Sequence, residues 1–193
     1  MIRIAMIRPG ATDFDDQGRI TGTLDLPLNA TGMGQVGRAA RELASLQFEC
    51  VYTSPCQSAM QTARMIAEAL GIKVKELPKL ANLDHGLWHG RQVEEVRQRQ
   101  PKVYRQWQEN PASICPPEGE TLAQVQGRVE AVFRKLVKRH ERESIAVVCP
   151  EPLASVVIAW LRIVPLGDIW KAECRCGCWD LVELEPEQVP SIR

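Results

Sequence analysis

Apolar and polar positions recur along this chain in two rhythms. Ile2 to Ile7 is a short β-rich run. Thr31 to Leu46 returns apolar residues at helical spacing, and Glu49 to Thr53 turns β-like again, which predicts a β-α-β opening. A helix is expected from Cys56 to Leu70, closed by Gly71 as a glycine cap, with a strand at Ile72 to Leu77. Val93 to Trp107 is helical and strongly charged, whereas Pro111 to Gly119 holds three prolines and a glycine and reads as a loop. Thr121 and Gln124 form a capping-box pair. Beyond them Leu122, Val125, Val129, Phe133, Leu136 and Val137 return every three or four residues, the clearest helix of the chain. Ser144 to Cys149 is continuously apolar, as expected of a central parallel strand buried on both faces. A helix near Leu153 to Leu161 and a strand near Cys178 to Leu184 complete the series.

This alternation predicts an α/β fold: a three-layer sandwich whose mostly parallel central sheet is flanked by helices. At 193 residues with no linker-like tract, one domain spanning 1–193 is expected. In such sheets ligands bind at the carboxyl ends of strands, which directs attention to Arg8-Pro9-Gly10, Thr53-Ser54-Pro55 and Cys149-Pro150-Glu151.

Charge and composition narrow the function classes. Lys+Arg and Asp+Glu are both 24, so no global field favours nucleic acid or an anionic membrane. The longest apolar stretch, around Val156 to Leu161, is far short of the ~20 residues a bilayer requires. The opening segment carries Arg3 and Arg8 in place of a signal peptide's apolar core, so a cytoplasmic protein is expected. Seven cysteines then read as reduced thiols, most of them small core residues.

Six blocks, in order, carry a family resemblance. Arg8-Pro9-Gly10-Ala11-Thr12 is followed by Gly18-Arg19-Ile20-Thr21-Gly22, then Thr53-Ser54-Pro55-Cys56-Gln57-Ser58-Ala59-Met60-Gln61-Thr62-Ala63. Next come Leu83-Asp84-His85-Gly86-Leu87-Trp88-His89-Gly90, Pro116-Pro117-Glu118-Gly119-Glu120-Thr121 and Val147-Val148-Cys149. Read together they resemble the histidine phosphatase superfamily of phosphoglycerate mutases and related phosphatases. The resemblance runs from Ile2 to about Leu184 and implies a phosphoglycerate mutase-like fold. It also implies phosphoryl transfer through a phosphohistidine and the dimer contacts common among relatives; for this chain no cofactor is expected.

The chemistry the resemblance implies lacks its groups here. A phosphohistidine enzyme needs an imidazole lone pair to attack phosphorus. Pro9 stands at the nucleophile position and Pro150 at that of the second histidine. Ser58 replaces the second phosphate-clamping arginine, and Asn82 aligns with the general acid, where an amide delivers no proton. Asp15 aligns with a phosphate-binding asparagine. Glu151 replaces the glycine after the second histidine. Arg8, Gly10, Asp15, Thr21, His85 and Glu151 are therefore expected to line a vestigial pocket. The chain reads as a pseudoenzyme binding or scaffolding a small molecule or protein. Glu151 is expected either to enter the vacated phosphate site and pair with Arg8, or simply to cap the following helix. The competing class is an enzyme of altered hydrolase chemistry in the same pocket, using Arg8 with Asp15, His85 or Glu151, or one with residual phosphatase activity.

The remaining candidates carry less. No cysteine has an arginine six residues on, which excludes the Cys-x5-Arg phosphatase loop. Cys174, Cys176 and Cys178 would share one face of a strand, a poor geometry for a tetrahedral metal site, and are expected to be packing residues. No metal is expected. His85 and His89 are flanked by Gly86 and Gly90 and belong to a loop. His140, among Lys138, Arg139, Glu141 and Arg142, is expected at the surface. Trp107, Trp160, Trp170 and Trp179 are expected in the core, with Trp88 an exception.

Overall fold

In the computed structural model, which describes residues 1–111, 115–166 and 175–185, five strands form one sheet of order β3-β2-β4-β1-β5. These are β1 (Ile2–Ile7), β2 (Cys50–Thr53), β3 (Lys73–Glu76), β4 (Ser144–Val148) and β5 (Trp179–Leu184). The pairs β3-β2, β2-β4 and β4-β1 are parallel, and β5 alone runs antiparallel, against β1. The expected sheet is present.

Side-chain alternation along the central strands builds two cores. From β1, Ile2, Ile4 and Met6 face one side while Ala5 and Ile7 face the other; from β4, Ile145 and Val147 oppose Ala146 and Val148. Helices α2 (Ala30–Leu43) and α3 (Gln57–Leu70) cover the Ile7 and Val148 side. Helices α6 (Leu122–Arg139) and α7 (Leu153–Arg162) cover the side of Ile4 and Val147. Ile4, Ile7, Val147 and Val148 are fully buried, and each such side chain contributes roughly 1.5–3 kcal/mol. The result is three layers. Among the described residues no helix is long and apolar enough to cross a membrane.

Local signals fixed most element ends. Gly71 closes α3 in the left-handed conformation at φ 68°, and Thr121 and Gln124 make the reciprocal capping box of α6. The charged stretch from Val93, expected to be one helix, is two: α4 (Val93–Arg99) and α5 (Pro101–Glu109). Pro101 disfavours the helical conformation of the residue before it, and Gln100 accordingly sits at φ −132°, ψ 56°. A four-residue helix, α1 (Asp13–Asp16), follows the first strand's loop.

Several sequence expectations are overturned. His140 is buried at 3% exposure, with Nε2 2.8 Å from the Tyr52 hydroxyl and Nδ1 2.5 Å from Glu143 Oε2. It lies four residues beyond Leu136 and three beyond Val137, so the helix brings it to the inward face despite its charged neighbours. Trp88 is buried in the core against Trp107, with ring centroids 5.2 Å apart. Trp107 is buried as expected, Trp160 and Trp179 are half-buried, and Trp170 lies outside the described residues. Of the described cysteines only Cys50 and Cys149 are buried; Cys115 and Cys178 are exposed. Cys176 and Cys178 precede β5 around a turn at Gly177, φ 73°, so the shared strand face does not form, and Cys174 lies outside the described residues.

Candidate functional site

The three strand ends named above meet at one edge of the sheet. Ile7 on β1 and Thr53 on β2 both lie opposite Val148 of β4. Arg8-Pro9, Ser54-Pro55 and Cys149-Pro150 therefore leave the sheet side by side. The loop after β1 passes close over the start of α2. A side chain on Gly10 would collide with the backbone of Gly32, and one on Gly32 with that of Ala11. The Gly10 N–H donates to Thr62 Oγ1 at 3.2 Å, fixing the loop to α3.

Arg8 is 5% exposed. Its Nε donates to Glu151 Oε1 at 2.5 Å and its Nη1 to Asp180 Oδ2 at 2.7 Å. Burial alone would lower the pKa of the guanidinium, but Glu151 and Asp180 outweigh burial and hold it above its ordinary value. Glu151 pairs with Arg8, as one of the two expectations had it, and also reaches the following helix. While one carboxylate oxygen meets Arg8, Oε2 accepts the Ser155 N–H at 3.2 Å in the first turn of α7. Asp180 comes from β5, opposite Met6, and its second oxygen lies 3.7 Å from Arg162 Nη2. Two guanidinium groups and two carboxylates thus balance.

Asn82 ties three segments together. Its amide nitrogen donates to Gly22 O at 3.0 Å and Glu151 O at 2.8 Å, and its Oδ1 accepts from Leu153 N–H at 3.4 Å. A carboxylate here would face two carbonyl oxygens, so this geometry calls for an amide. Asn82 also lines a cavity of about 170 Å³ with Gly22, Thr23, Asp25 and Cys56, among others. Arg8, Thr21 and Glu151 are not part of that lining. Thr21 instead accepts from Leu24 N–H with its carbonyl.

The other candidates lie apart from the Arg8 cluster or serve local structure. Asp15 accepts from both the N–H and the hydroxyl of Thr12 at 2.7 Å, closing the capping box of α1. Ser58 is buried in the first turn of α3, with its Oγ 3.8 Å from Cys56 Sγ. His85 is 2% exposed and packs against Trp107 and His89, with ring centroids 5.6 and 6.4 Å away. Burial first, then the neighbouring His89, push its pKa down to about 4, against the opposing pull of Asp84. At neutral pH it is an uncharged imidazole of low basicity. Asp84 itself accepts from Gly86 N–H at 2.8 Å.

Sequence reading missed Asp180 and Arg162. The signal for Asp180 was a carboxylate in a strand that otherwise sets Trp179, Leu181 and Val182 beside Glu183. What the sequence did not carry was that this last strand pairs with the first, one residue from Arg8.

Comparison with known proteins decides the family. The model of the histidine phosphatase superfamily (branch 1) matches residues 4–192. The chain belongs to that superfamily. Within it, the chain is 31% identical over 186 residues to phosphoserine phosphatase 1 of Hydrogenobacter thermophilus, covering 96% of this chain and 88% of that protein. It is 26% identical to the adenosylcobalamin/alpha-ribazole phosphatase of Escherichia coli, covering 95% and 90% of the two chains. Among solved structures, Bacillus stearothermophilus YhfR superposes with a TM-score of 0.85 over 96% of this chain and 92% of that one. At 24% identity it speaks to the fold alone. The phosphoglycerate mutase-like architecture expected from the sequence is thus the observed one.

Proposed function

We propose that this superfamily member is a single-domain pseudoenzyme, without phosphohistidine-based phosphatase or mutase activity, that acts by binding a small molecule or protein. The Hydrogenobacter and Escherichia relatives named above are phosphatases, so the reading rests on what differs here. Its carrying observation is the state of Arg8. The one remaining arginine of the family's phosphate site is engaged by Glu151 at 2.5 Å and Asp180 at 2.7 Å.

Phosphoryl transfer by this family's route needs a nucleophilic nitrogen and cations aimed at the phosphoryl oxygens. Pro9 and Pro150 offer no lone-pair nitrogen at the positions the resemblance assigns to histidine, and Ser58 offers no charge. An entering phosphate would also have to displace two carboxylates from Arg8 and then lie beside them. Each like-charge pair about 4 Å apart costs on the order of 4 kcal/mol near a protein surface. Altered chemistry on Asp15 or His85 finds little support, because the first caps α1 and the second is buried.

The test is turnover. Incubation with p-nitrophenyl phosphate and a panel of phosphosugars and phosphoamino acids should release no phosphate above the buffer rate. Phosphate release that disappears in Arg8→Ala, with the fold intact by circular dichroism, would overturn the reading. Replacing Pro9→His, Ser58→Arg and Pro150→His together, with Glu151→Gly, asks whether the scaffold regains phosphatase activity.

A further inference from the structure

A second cavity lies apart from Arg8, between the 3₁₀ turn Pro78–Leu80 and α6. It encloses about 280 Å³, close to the lower end of small-ligand sites. Its walls are apolar: Tyr52 on the sheet, Leu77 and Pro78 on the turn, Val132 and Leu136 on the helix. Three cations, Lys79, Lys135 and Arg139, also line it.

Those cations are exposed, and none pairs with a carboxylate among the described residues. The acids in the vicinity are committed elsewhere. Glu130 of α6 accepts from Arg134 at 2.6 Å, and Glu143 accepts from His140 at 2.5 Å. Glu76, on β3, alternates to the sheet face opposite Lys75, whose Nζ sits 5.4 Å from the Tyr52 ring centre. The Tyr52 hydroxyl is held by His140 Nε2 at 2.8 Å. The other ring nitrogen, Nδ1, lies 2.5 Å from Glu143 Oε2. The hydroxyl is therefore engaged within the protein, and the ring serves the cavity as a carbon wall.

An apolar hollow ringed by unpaired positive charge matches one ligand chemistry. We propose that this cavity binds a small organic anion with an apolar body, an acyl or aryl carboxylate. The body lies between Tyr52, Val132 and Leu136, and the carboxylate meets Lys135 and Arg139. They lie four residues apart on α6, so both project over the same mouth. The site does not depend on the reading of the Arg8 cluster.

The segment after β3 walls both cavities, Leu77 to Lys79 on this side and Ala81 and Asn82 on the other. Arg128 of α6 holds that segment through the Lys79, Ala81 and Asn82 carbonyls at 2.7, 2.6 and 3.1 Å.

Octanoate, octanol and octyltrimethylammonium, titrated into the ¹⁵N-labelled full chain, separate tail from charge. Octanoate should shift the amides of Tyr52, Leu77, Lys79 and α6 saturably, and bind about tenfold or more tighter than octanol, with no binding of the ammonium. Lys135→Glu with Arg139→Glu should abolish the preference for the carboxylate. Ala131→Trp, which fills the cavity from an exposed helix position, should remove binding of either compound while the thermal midpoint holds. Equal binding of octanoate and octanol, unchanged affinity in the charge-reversed variant, shifts confined to other regions, or no saturable binding would each overturn the assignment.

Discussion

Two basic regions of this molecule differ in what has become of their charge. At the ends of β1 and β4, Arg8 is buried and answered by Glu151 and Asp180; beside the turn after β3, Lys79, Lys135 and Arg139 are exposed and answered by no carboxylate among the described residues. The sequence resemblance directs attention to the first as a ligand site, and the electrostatics to the second. A cation marks a binding site only if its field remains unneutralised, so pairing decides more than position does.

The sharpest way to break this contrast is to remove the paired cation. Arg8→Met leaves the largely buried carboxylates of Glu151 and Asp180 without their shared cation, and should destabilise the fold by about 3–5 kcal/mol in urea denaturation. A loss below about 1 kcal/mol would mean the cluster is no more consequential than a surface pair.

A nearly equal effect is expected from His85, a potential cation that neither region uses. Its folded-state pKa of about 4 lies below the unfolded value of 6.5, so only the unfolded chain binds this proton as the pH falls between the two. Stability attributable to His85 is complete above pH 6.5 and is lost progressively on acidification, by about 3 kcal/mol at pH 4. Comparing the pH dependence of wild type and His85→Phe isolates this from the carboxylates. Parallel curves would refute it.

Converting the first region toward the second is the next test. Glu151→Gln with Asp180→Asn frees Arg8 without changing shape, and affinity for inorganic phosphate should rise about tenfold or more by calorimetry, the equivalent of ~1.4 kcal/mol. If phosphate binds wild type and variant alike, the two carboxylates are not what occupies the arginine. The smallest effect should come from the second region itself. Lys135→Gln with Arg139→Gln removes two exposed, unpaired charges and should change folding stability by no more than about 0.5 kcal/mol.

How much of this was legible beforehand differs between the regions for a physical reason. β1, β4 and α6 were readable because burial imposes a period on one segment at a time, and Ser144 to Cys149 needed no partner to look like a central strand. Pro9, Pro150 and Glu151 were readable because each departs from a motif that neighbouring residues, Arg8 among them, keep. The pairing of Arg8 with Asp180 is a contact across the whole length of the chain. It depends on β5 closing antiparallel on β1, which no local pattern encodes. The cavity at Tyr52 was illegible for the same reason: it is the gap left between a turn, a strand and a helix distant in sequence. His140 was legible in principle, at helical spacing from Leu136 and Val137, but its charged neighbours masked the inward face.

Glu151 has one more implication. A free anion beside an arginine comes and goes with its concentration, and the protein's stability and charge follow it by mass action. A carboxylate attached to the same chain is never diluted, and its local concentration is fixed by the tether. The charge state of the Arg8 cluster is therefore written into the sequence and insensitive to the phosphate level around the protein.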